Sequence, residues 1–286
     1  MTHLVIGASG QVGKSLMRFL GDEAVGTAHT RASGRLIPLD LADIGAVGRL
    51  VREKMPKAIY VPGGVTAVDW CETHEAEARR ICVDGTVAIR EAAESIGAHV
   101  VFFSTDYVYS GKAGPYTETD PPDPISAYGR IKLEAEKAAG PGFTVLRTSM
   151  VYSDESDSKN FHNFVRDTLR AGREVKAFSD QSGSPAYAPM VAASAMVAMK
   201  GARTGIIHAG GPEVLTRIVF ARRVARAYGL DEGRIKSVTS EELPMPAARP
   251  KRGGLISPNW APLLRHLCVA SSLDEALAEM TKTNSR

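Results

Sequence analysis

The stretch HLVIGASGQVG, residues 3–13, determines the fold that we expect for this chain. Residues 3–6 have the character of a buried strand, and apolar side chains recur at helical spacing from Gln11 onward. Three glycines, Gly7, Gly10 and Gly13, occupy the turn between them. A strand, a glycine-rich turn and a helix in this order form a nucleotide-binding unit in many proteins.

The chemistry of this turn suits a dinucleotide. Gly7 permits the tight turn, Gly10 lets the backbone approach a pyrophosphate, and Gly13 allows the helix to pack closely on the sheet. The start of the helix offers free N–H groups and a positive dipole end to phosphates. The spacing is GxxGxxG rather than GxGxxG, and a purely structural turn is the alternative. The predicted cofactor contacts here are Gly7, Ser9, Gly10, Gln11 and Val12.

Strand-like and helix-like stretches alternate along the first half of the chain. Strands that are apolar on both faces, each followed by a helix, predict a parallel sheet with helices on its two sides. The expected fold class is therefore α/β, a Rossmann doubly wound parallel sheet. Strands are predicted at 3–6, 24–28, 36–39, 58–61, 99–103 and 143–146, and helices at 11–20, 44–55, 75–96 and 127–139.

The second half is less regular. Helices are predicted at 161–171, 191–200 and 217–228, a strand at 206–209, a polar loop at 154–159 and a long loop at 245–254. We expect an NAD(P)-binding domain over residues 1–155, with parts of the later chain returning to it. Residues 156–286 are expected to form mainly a smaller α/β substrate-binding lobe.

The residues after the second strand bear on the choice of cofactor. NAD-selective folds place an Asp or Glu there to bind the ribose hydroxyls, and residues 26–31, GTAHTR, contain no acid. Arg31, helped by His29, is the candidate for binding a 2′-phosphate, so NADP(H) is preferred and NAD(H) is the alternative. Asp40 and Leu41 follow the third strand and are expected beside the adenine, although Asp40 is also a candidate helix cap.

Tyr128 and Lys132 form a YxxxK motif at the start of a predicted helix, which puts both side chains on one face. We expect the ammonium to lower the pKa of the phenol, so that the pair exchanges a proton with a carbonyl or alcohol oxygen as hydride moves. Thr105 follows the fifth strand, where parallel sheets bind ligands, and is expected to hydrogen-bond the reacting oxygen. Together with the glycine turn, these residues predict a dehydrogenase-like site.

Composition excludes several other classes of protein. The net charge of +3 comes from 35 basic and 32 acidic residues, which does not indicate a nucleic-acid or membrane-surface protein. The three cysteines form no metal-ligand spacing and are expected to be reduced thiols. No apolar run approaches the length of a membrane span, and no signal peptide is recognisable. A cytoplasmic location is therefore predicted.

Several longer stretches resemble one known family. They are GASGQVG at 7–13, TAVDWCE at 66–72, FSTDYVYSG at 103–111, PYTETDPPDPISAYGRIKLEAEKA at 115–138, LRTSMVY at 146–152, DQSGSP at 180–185 and AARP at 247–250. On these stretches the chain resembles the dTDP-4-dehydrorhamnose reductase family of the extended short-chain dehydrogenases/reductases. The resemblance covers nearly the whole chain, with the motifs in family order.

The resemblance implies a reductase that transfers hydride from NADPH to the 4-keto group of a nucleotide-linked 4-keto-6-deoxy sugar. Thr105, Tyr128 and Lys132 would be catalytic, with Tyr128 and Lys132 also contacting the cofactor above Gly63 and Gly64. The small-molecule nucleotide sugar would be the principal partner, and a homodimer is the assembly that we consider. Substrate contacts would come from Thr66, Val68, Asp69, Thr105, Asp106 and Arg249.

The chain departs from the family pattern at several positions. Val61-Pro62-Gly63-Gly64 stands where Asn-Ala-Ala-Ala is usual, Cys82 replaces a common helix Asn, and Met150 replaces a frequent Trp. Some members hold magnesium through acidic residues, and two of those positions match Ser15 and Met190. We therefore predict no metal site.

Other functions stay open on these residues. The regulatory β subunit of methionine adenosyltransferase resembles the same family and binds NADP but acts by docking to an enzyme, so a regulatory subunit is one alternative. A reductase of another carbonyl substrate is a second, and an epimerase with the same Tyr-Lys pair is a third. A 4,6-dehydratase is disfavoured because Asp106 is followed by Tyr107 rather than Glu.

Overall fold

The computed structural model describes residues 2–30, 32, 34–258 and 260–283. Its strands, in chain order, are β1 His3–Ile6, β2 Ala24–Ala28, β3 Ile37–Pro38, β4 Ala58–Val61, β5 His99–Thr105, β6 Thr144–Thr148, β7 Val175–Phe178, β8 Ser182–Gly183, β9 Gly205–His208, β10 Leu215–Thr216 and β11 Ile235–Val238. Seven of them form one parallel sheet in the order β3-β2-β1-β4-β5-β6-β9.

The helices are α1 Gln11–Leu20, α2 Ile44–Lys54, α3 Val68–Thr73, α4 Glu75–Arg79, α5 Gly85–Ile96, α6 Ala127–Ala139, α7 Phe161–Arg170, α8 Ala188–Lys200, α9 Arg217–Ala227, α10 Ala261–His266 and α11 Leu273–Thr283. Within the described ranges, none of them has both the length and the apolar character that crossing a membrane requires.

The sheet is buried on both faces because its strands alternate between two hydrophobic cores. Along β1, Leu4 and Ile6 pack in a core with α2, α5 and α6, whereas Val5 packs in the other core with α1 and α8. Residues of the second half, including Val165 and Phe220, complete the core on the α1 side. The predicted Rossmann doubly wound α/β fold is confirmed.

The second half contributes to the central sheet and also forms two small sheets of its own. Strand β9 pairs with β6 at the edge of the central sheet. Strand β10 pairs antiparallel with β8, and β11 pairs parallel with β7. The sequence patterns indicated β9 but missed these four short strands, as well as α3, α10 and α11. The division at residue 155 stays a prediction.

One predicted helix is interrupted. The sequence predicts a continuous helix over 75–96, but residues Arg80–Asp84 form a turn of π-helix between α4 and α5. The Thr86 hydroxyl donates to the Cys82 carbonyl at 2.6 Å and so stabilises the widened turn. Apolar spacing does not reveal such a turn, which is typical of functional sites. It carries the buried Cys82 behind Gly64, whose added Cβ would lie 3.5 Å from the thiol sulfur.

Candidate active site

Gly7 and Gly63 lie against each other at the carboxyl ends of β1 and β4. Gly7 has a φ of 95°, and a Cβ on it would come within 2.5 Å of the Gly63 Cα. The Gly63 N–H donates to the Ile6 carbonyl at 2.9 Å. The strand order reverses direction between β1 and β4, which is where open α/β sheets bind ligands. The unusual Pro62-Gly63-Gly64 turn therefore packs so closely on the first turn of the chain that neither Gly7 nor Gly63 has space for a Cβ.

The other two glycines of the turn differ in their surroundings. A Cβ on Gly13 would lie 2.2 Å from the Gly7 carbonyl oxygen, so Gly13 is required by the packing of α1 on the turn. A Cβ on Gly10 would meet only that oxygen, at 3.5 Å, an ordinary contact. Gly10 is the N-cap residue of α1 and provides no side-chain cap. The structure describes every residue of the first turn of α1, and none of them is acidic. This helix end can accept an anion.

A cleft of about 770 Å³ opens at this edge of the sheet. It brings together residues that are more than 120 positions apart in the sequence, from the glycine turn to α6. Of the predicted site residues, those that line it are Ser9, Gly10, Gln11, Val12, Gly63, Gly64, Thr66, Thr105, Tyr128 and Lys132.

Tyr128 and Thr105 meet in this cleft. Thr105 ends β5, Tyr128 lies in the first turn of α6, and both line the cleft. Ser126 caps that helix by accepting from the Gly129 N–H at 3.2 Å. We expected Lys132 to lower the pKa of Tyr128, but burial of the phenol raises it, and the interaction with Thr105 opposes the rise only partly. In this structure Tyr128 is a protonated phenol at neutral pH.

Lys132 is buried one turn after Tyr128. Its ammonium donates to the Phe103 carbonyl at 2.7 Å and lies 4.4 Å from the centre of the Phe102 ring. Burial lowers its pKa, and the negative charge of Glu136 opposes that shift. Glu136 forms a two-bond ion pair with Arg147, at 2.9 and 2.6 Å. A buried charge network therefore lies directly behind the lysine.

The predicted adenine-side residues are not among the described residues that line the cleft. His29 and Asp40 follow β2 and β3 and face each other, with 3.7 Å between Nε2 and Oδ2. Asp40 does not cap α2; it accepts from the Ala42 N–H, and Asp43 is the cap. Leu41 packs against the core on the α5 side. Arg31 lies outside the described residues.

Several predicted substrate residues are also directed elsewhere. Asp106 is 5% exposed and accepts a hydrogen bond from the Ser149 hydroxyl at 2.6 Å, and its burial raises its pKa. Val68 and Asp69 lie on α3, outside the described lining of the cleft. Arg249 uses both of its terminal nitrogens to bind Asp69, at 2.5 and 2.8 Å. The guanidinium fork that we expected to bind phosphate is occupied by a carboxylate in this structure.

Known proteins resemble this chain over most of its length. The family model for the RmlD substrate binding domain matches residues 1–284. The chain belongs to this family. The expected resemblance to dTDP-4-dehydrorhamnose reductases is confirmed: the enzyme of that name from Sinorhizobium fredii is 35% identical over 263 residues, covering 82% of this chain and 87% of the relative.

Solved structures of this RmlD family have the same fold. A dTDP-4-dehydrorhamnose reductase from Clostridium acetobutylicum superimposes with a TM-score of 0.85 at 29% identity, covering 100% of both chains. The enzyme of that name from Bacillus anthracis, solved in complex with NADP, gives a TM-score of 0.86 at 25% identity, covering 99% of this chain and 100% of that one.

The sequence patterns missed one wall of the cleft in this RmlD family member. Residues 157–160 line it, although we interpreted 154–159 only as a polar loop. Gln11 connects this loop to α1: its side-chain amide donates to the Val151 carbonyl, and its side-chain oxygen accepts from Ser153 and Asn160. The Gln11 side chain is therefore engaged with the residues that lead into and form this loop. The sequence signal for these contacts was the polar side chain of Gln11 at the start of a predicted helix.

Ser104 is a second residue that we missed. It lines the cleft at the end of β5, is 5% exposed, and its hydroxyl has no hydrogen-bond partner among the described residues. A buried hydroxyl without a partner is costly unless a ligand or water supplies one. Its position beside Thr105 was the sequence signal. Met150, the residue in place of the family Trp, also lines the cleft.

Proposed function

We propose that this chain is an NADPH-dependent reductase of the 4-keto group of a nucleotide-linked 4-keto-6-deoxy sugar. The observation that carries the proposal is the single cleft in which the glycine turn, Thr105, Tyr128 and Lys132 meet. The names of the similar proteins add the substrate class, since the 35% identical relative is called a dTDP-4-dehydrorhamnose reductase.

The cleft fits a dinucleotide at its glycine-turn end. Gly10 leaves space where a Cβ would otherwise point, and the uncapped N-terminus of α1 offers N–H groups to a pyrophosphate. Ser9, Val12, Gly63 and Gly64 complete the proposed binding surface. Bound NADPH supplies the hydride, and the residues of this chain orient the reacting groups and provide the proton.

Tyr128 is the proposed proton donor. As hydride reaches the carbonyl carbon, negative charge develops on the oxygen, and a protonated phenol within hydrogen-bond reach neutralises it. The raised pKa of Tyr128 keeps the phenol protonated before the reaction. Thr105, which lines the cleft together with Tyr128, holds the same oxygen, and Lys132 orients the nicotinamide ribose.

NADP(H) is the proposed cofactor rather than NAD(H). The relative from Bacillus anthracis was solved with NADP, and no acidic side chain lies in residues 26–31. His29 lies at the end of β2, on the side where an adenine ribose would lie. The cytoplasmic location and the homodimer stay predictions.

The test is reduction of dTDP-4-keto-6-deoxy sugars with NADPH, followed by loss of the nicotinamide absorbance. We expect turnover by the wild type and a loss of about 100-fold or more in kcat for Tyr128→Phe. Lys132→Met is expected to weaken both turnover and NADPH binding. A wild type that binds NADPH tightly, seen as a thermal shift, but reduces none of these sugars would contradict the proposal. That result would favour another carbonyl substrate or a regulatory role.

A further inference from the structure

Asp69 and Arg249 join two parts of the chain that are 180 residues apart. Besides the two-bond ion pair, Asp69 accepts from the Ala247 N–H at 3.0 Å, and Arg249 donates to the Ala247 carbonyl at 2.8 Å. The Arg249 side chain is only 12% exposed, compared with 38% for Asp69. The loop that carries Arg249 is thus fixed on α3, the helix that follows β4 in the chain.

Arg249 also interacts with Tyr107. The Tyr107 phenol raises the pKa of the Arg249 guanidinium electrostatically, in addition to the effect of the bonds to Asp69. The Tyr107 ring lies edge-on to the Tyr128 ring, with 5.8 Å between the centroids and 79° between the planes. Aromatic pairs in this arrangement attract each other. The position of Tyr107 is therefore fixed from one side by Arg249 and from the other by Tyr128.

The backbone of Tyr107 contacts Thr105 and Gly129, the residue that follows Tyr128. Its N–H donates to the Thr105 hydroxyl at 3.2 Å. Gly129 follows Tyr128 in α6, and a Cβ on Gly129 would lie 2.2 Å from the Tyr107 carbonyl oxygen. Tyr107 thus lies between Thr105 and the start of α6, in contact with both.

We propose that Asp69, Arg249 and Tyr107 form a positioning chain that holds Tyr128 and Thr105 in register for proton transfer. This inference rests on the proposed reductase function. It assigns to Arg249 a role in turnover rather than in binding the substrate phosphates, because both arms of its guanidinium fork are already bonded to Asp69. Arginine forks bind carboxylate and phosphate through the same geometry, so one fork does not serve both at once.

Three variants test the chain, each removing one contact. Asp69→Asn removes the charge that Arg249 pairs with, Arg249→Lys removes the fork but keeps the charge, and Tyr107→Phe keeps the ring but removes the hydroxyl. We expect each to lower kcat by about 10- to 100-fold, because small misplacements of reacting groups have effects of this size. KM for the keto sugar should change by less than about threefold.

The matched control is Arg226→Lys. Arg226 forms a comparable two-bond ion pair with Glu232, at 3.0 and 3.1 Å, on α9 and outside the described lining of the cleft. Its kcat and KM should equal those of the wild type. Thermal midpoints and NADPH affinity are measured for every variant. Because Tyr107→Phe retains the ion pair, it still tests the positioning chain if a charge variant does not fold.

The outcomes separate this inference from the proposed function. If Arg249→Lys raises KM by about tenfold with kcat intact, and Asp69→Asn has no effect, Arg249 is a phosphate ligand and the positioning chain is wrong. If the wild type is active and all three variants match it, the chain is also wrong while the reductase function stands. A wild type that reduces no nucleotide keto sugar overturns both.

Discussion

At the scale of single residues, the three glycines of the first turn are needed for different reasons. Gly7 is needed because of its left-handed backbone and its contact with Gly63, and Gly13 because of its contact with the Gly7 carbonyl. Gly10 meets no such constraint from the protein itself. Space that the protein does not use but keeps open is best explained by a ligand.

This contrast gives a paired prediction. Gly10→Ala should leave the free energy of unfolding within about 1 kcal/mol of the wild type but weaken NADPH binding by about tenfold or more, because the methyl group occupies the position of the pyrophosphate. Gly7→Ala should cost about 2 kcal/mol or more in stability, since it forces both strain and a clash. Urea unfolding and NADPH titration measure the two effects. Equal NADPH affinity in Gly10→Ala and the wild type would contradict this assignment of the turn.

The protonation state of Tyr128 shows what residue patterns alone do not reveal. The YxxxK spacing correctly brought Tyr128 and Lys132 to one cleft, because helical periodicity is local. Burial of the phenol is the largest cause of the raised pKa; Cys82 and Tyr107 add to the rise electrostatically, and Thr105 opposes it, all from other elements of the chain. The expected lowering was wrong for this reason.

At the scale of secondary-structure elements, α7 fixes the loop wall of the cleft. The Asn163 side-chain amide donates to the carbonyls of Glu155 and Ser158, at 2.8 and 3.0 Å. His162 is fully buried beside it, with 3.0 Å between Nδ1 and the Asn163 Oδ1. Burial lowers the pKa of His162 to about 4. Protonating this histidine therefore opposes the folded arrangement of the loop.

The sign of the pH effect follows from proton binding. Between the folded pKa of about 4 and the ordinary value of 6.5, the unfolded chain binds more protons at this site, so stability falls as pH falls. The contribution of His162 to that loss should reach about 2 kcal/mol by pH 5. Unfolding of His162→Gln at pH 7.5 and pH 5 should show that much less pH dependence than the wild type. The exposed His266→Gln serves as control, and an unchanged slope in His162→Gln would refute the assignment.

The buried ion pair between α6 and β6 gives a second prediction at this scale. The side chains of Arg147 and Glu136 are 1% and 5% exposed, and Arg147 also donates to the Tyr109 hydroxyl at 2.6 Å. Glu136→Gln leaves the guanidinium buried without its counter-charge and should destabilise the fold by about 3–5 kcal/mol. The exposed pair of Arg79 and Glu134 is the control, and Arg79→Gln should leave the stability nearly unchanged, because solvent screens an exposed ion pair. Urea unfolding compares the two variants, and similar losses in both would contradict a special role for burial.

Element by element, the sequence predicted what depends on local periodicity. The strands of the central sheet and helices α1 and α6 were predicted closely because their apolar spacing is strong. The two-residue strands β8 and β10 are too short to show any period. The π turn at 80–84 and the pairing of Arg249 with Asp69 depend on contacts between distant residues, which spacing does not encode.

At the scale of the whole molecule, ion pairs connect the loop 153–160 to the first helix. Glu155 binds Lys14 at 3.2 Å and Arg18 at 2.5 Å, and Asp157 binds Lys14 at 2.6 Å. Together with the hydrogen bonds of Gln11, these contacts place the loop opposite the glycine turn. The two walls of the cofactor cleft therefore come from residues about 140 positions apart.

This connection predicts a joint response to the cofactor. NADPH should slow amide hydrogen exchange in residues 7–13, 62–66 and 153–160 together, because residues 9–13, 62–66 and 157–160 within these stretches line one cleft. Glu155→Gln should abolish the protection of 153–160 while sparing 62–66, and should weaken NADPH binding by about 3- to 10-fold. Exchange followed by mass spectrometry measures both. Protection confined to 7–13 in the wild type would show that the loop is not part of the cofactor site.

The measurement that tests the central claim most directly is transfer of a label. NADPH carrying deuterium at C4 of the nicotinamide, prepared as each of the two stereoisomers, is incubated with the protein and a dTDP-4-keto-6-deoxy sugar. The proposed function predicts that one isomer delivers deuterium to C4 of the product sugar, detected by mass spectrometry and NMR, and that Tyr128→Phe transfers it at least about 100-fold more slowly. Absence of deuterium from the sugar with both isomers, under conditions in which NADPH binds, would contradict hydride transfer to this substrate.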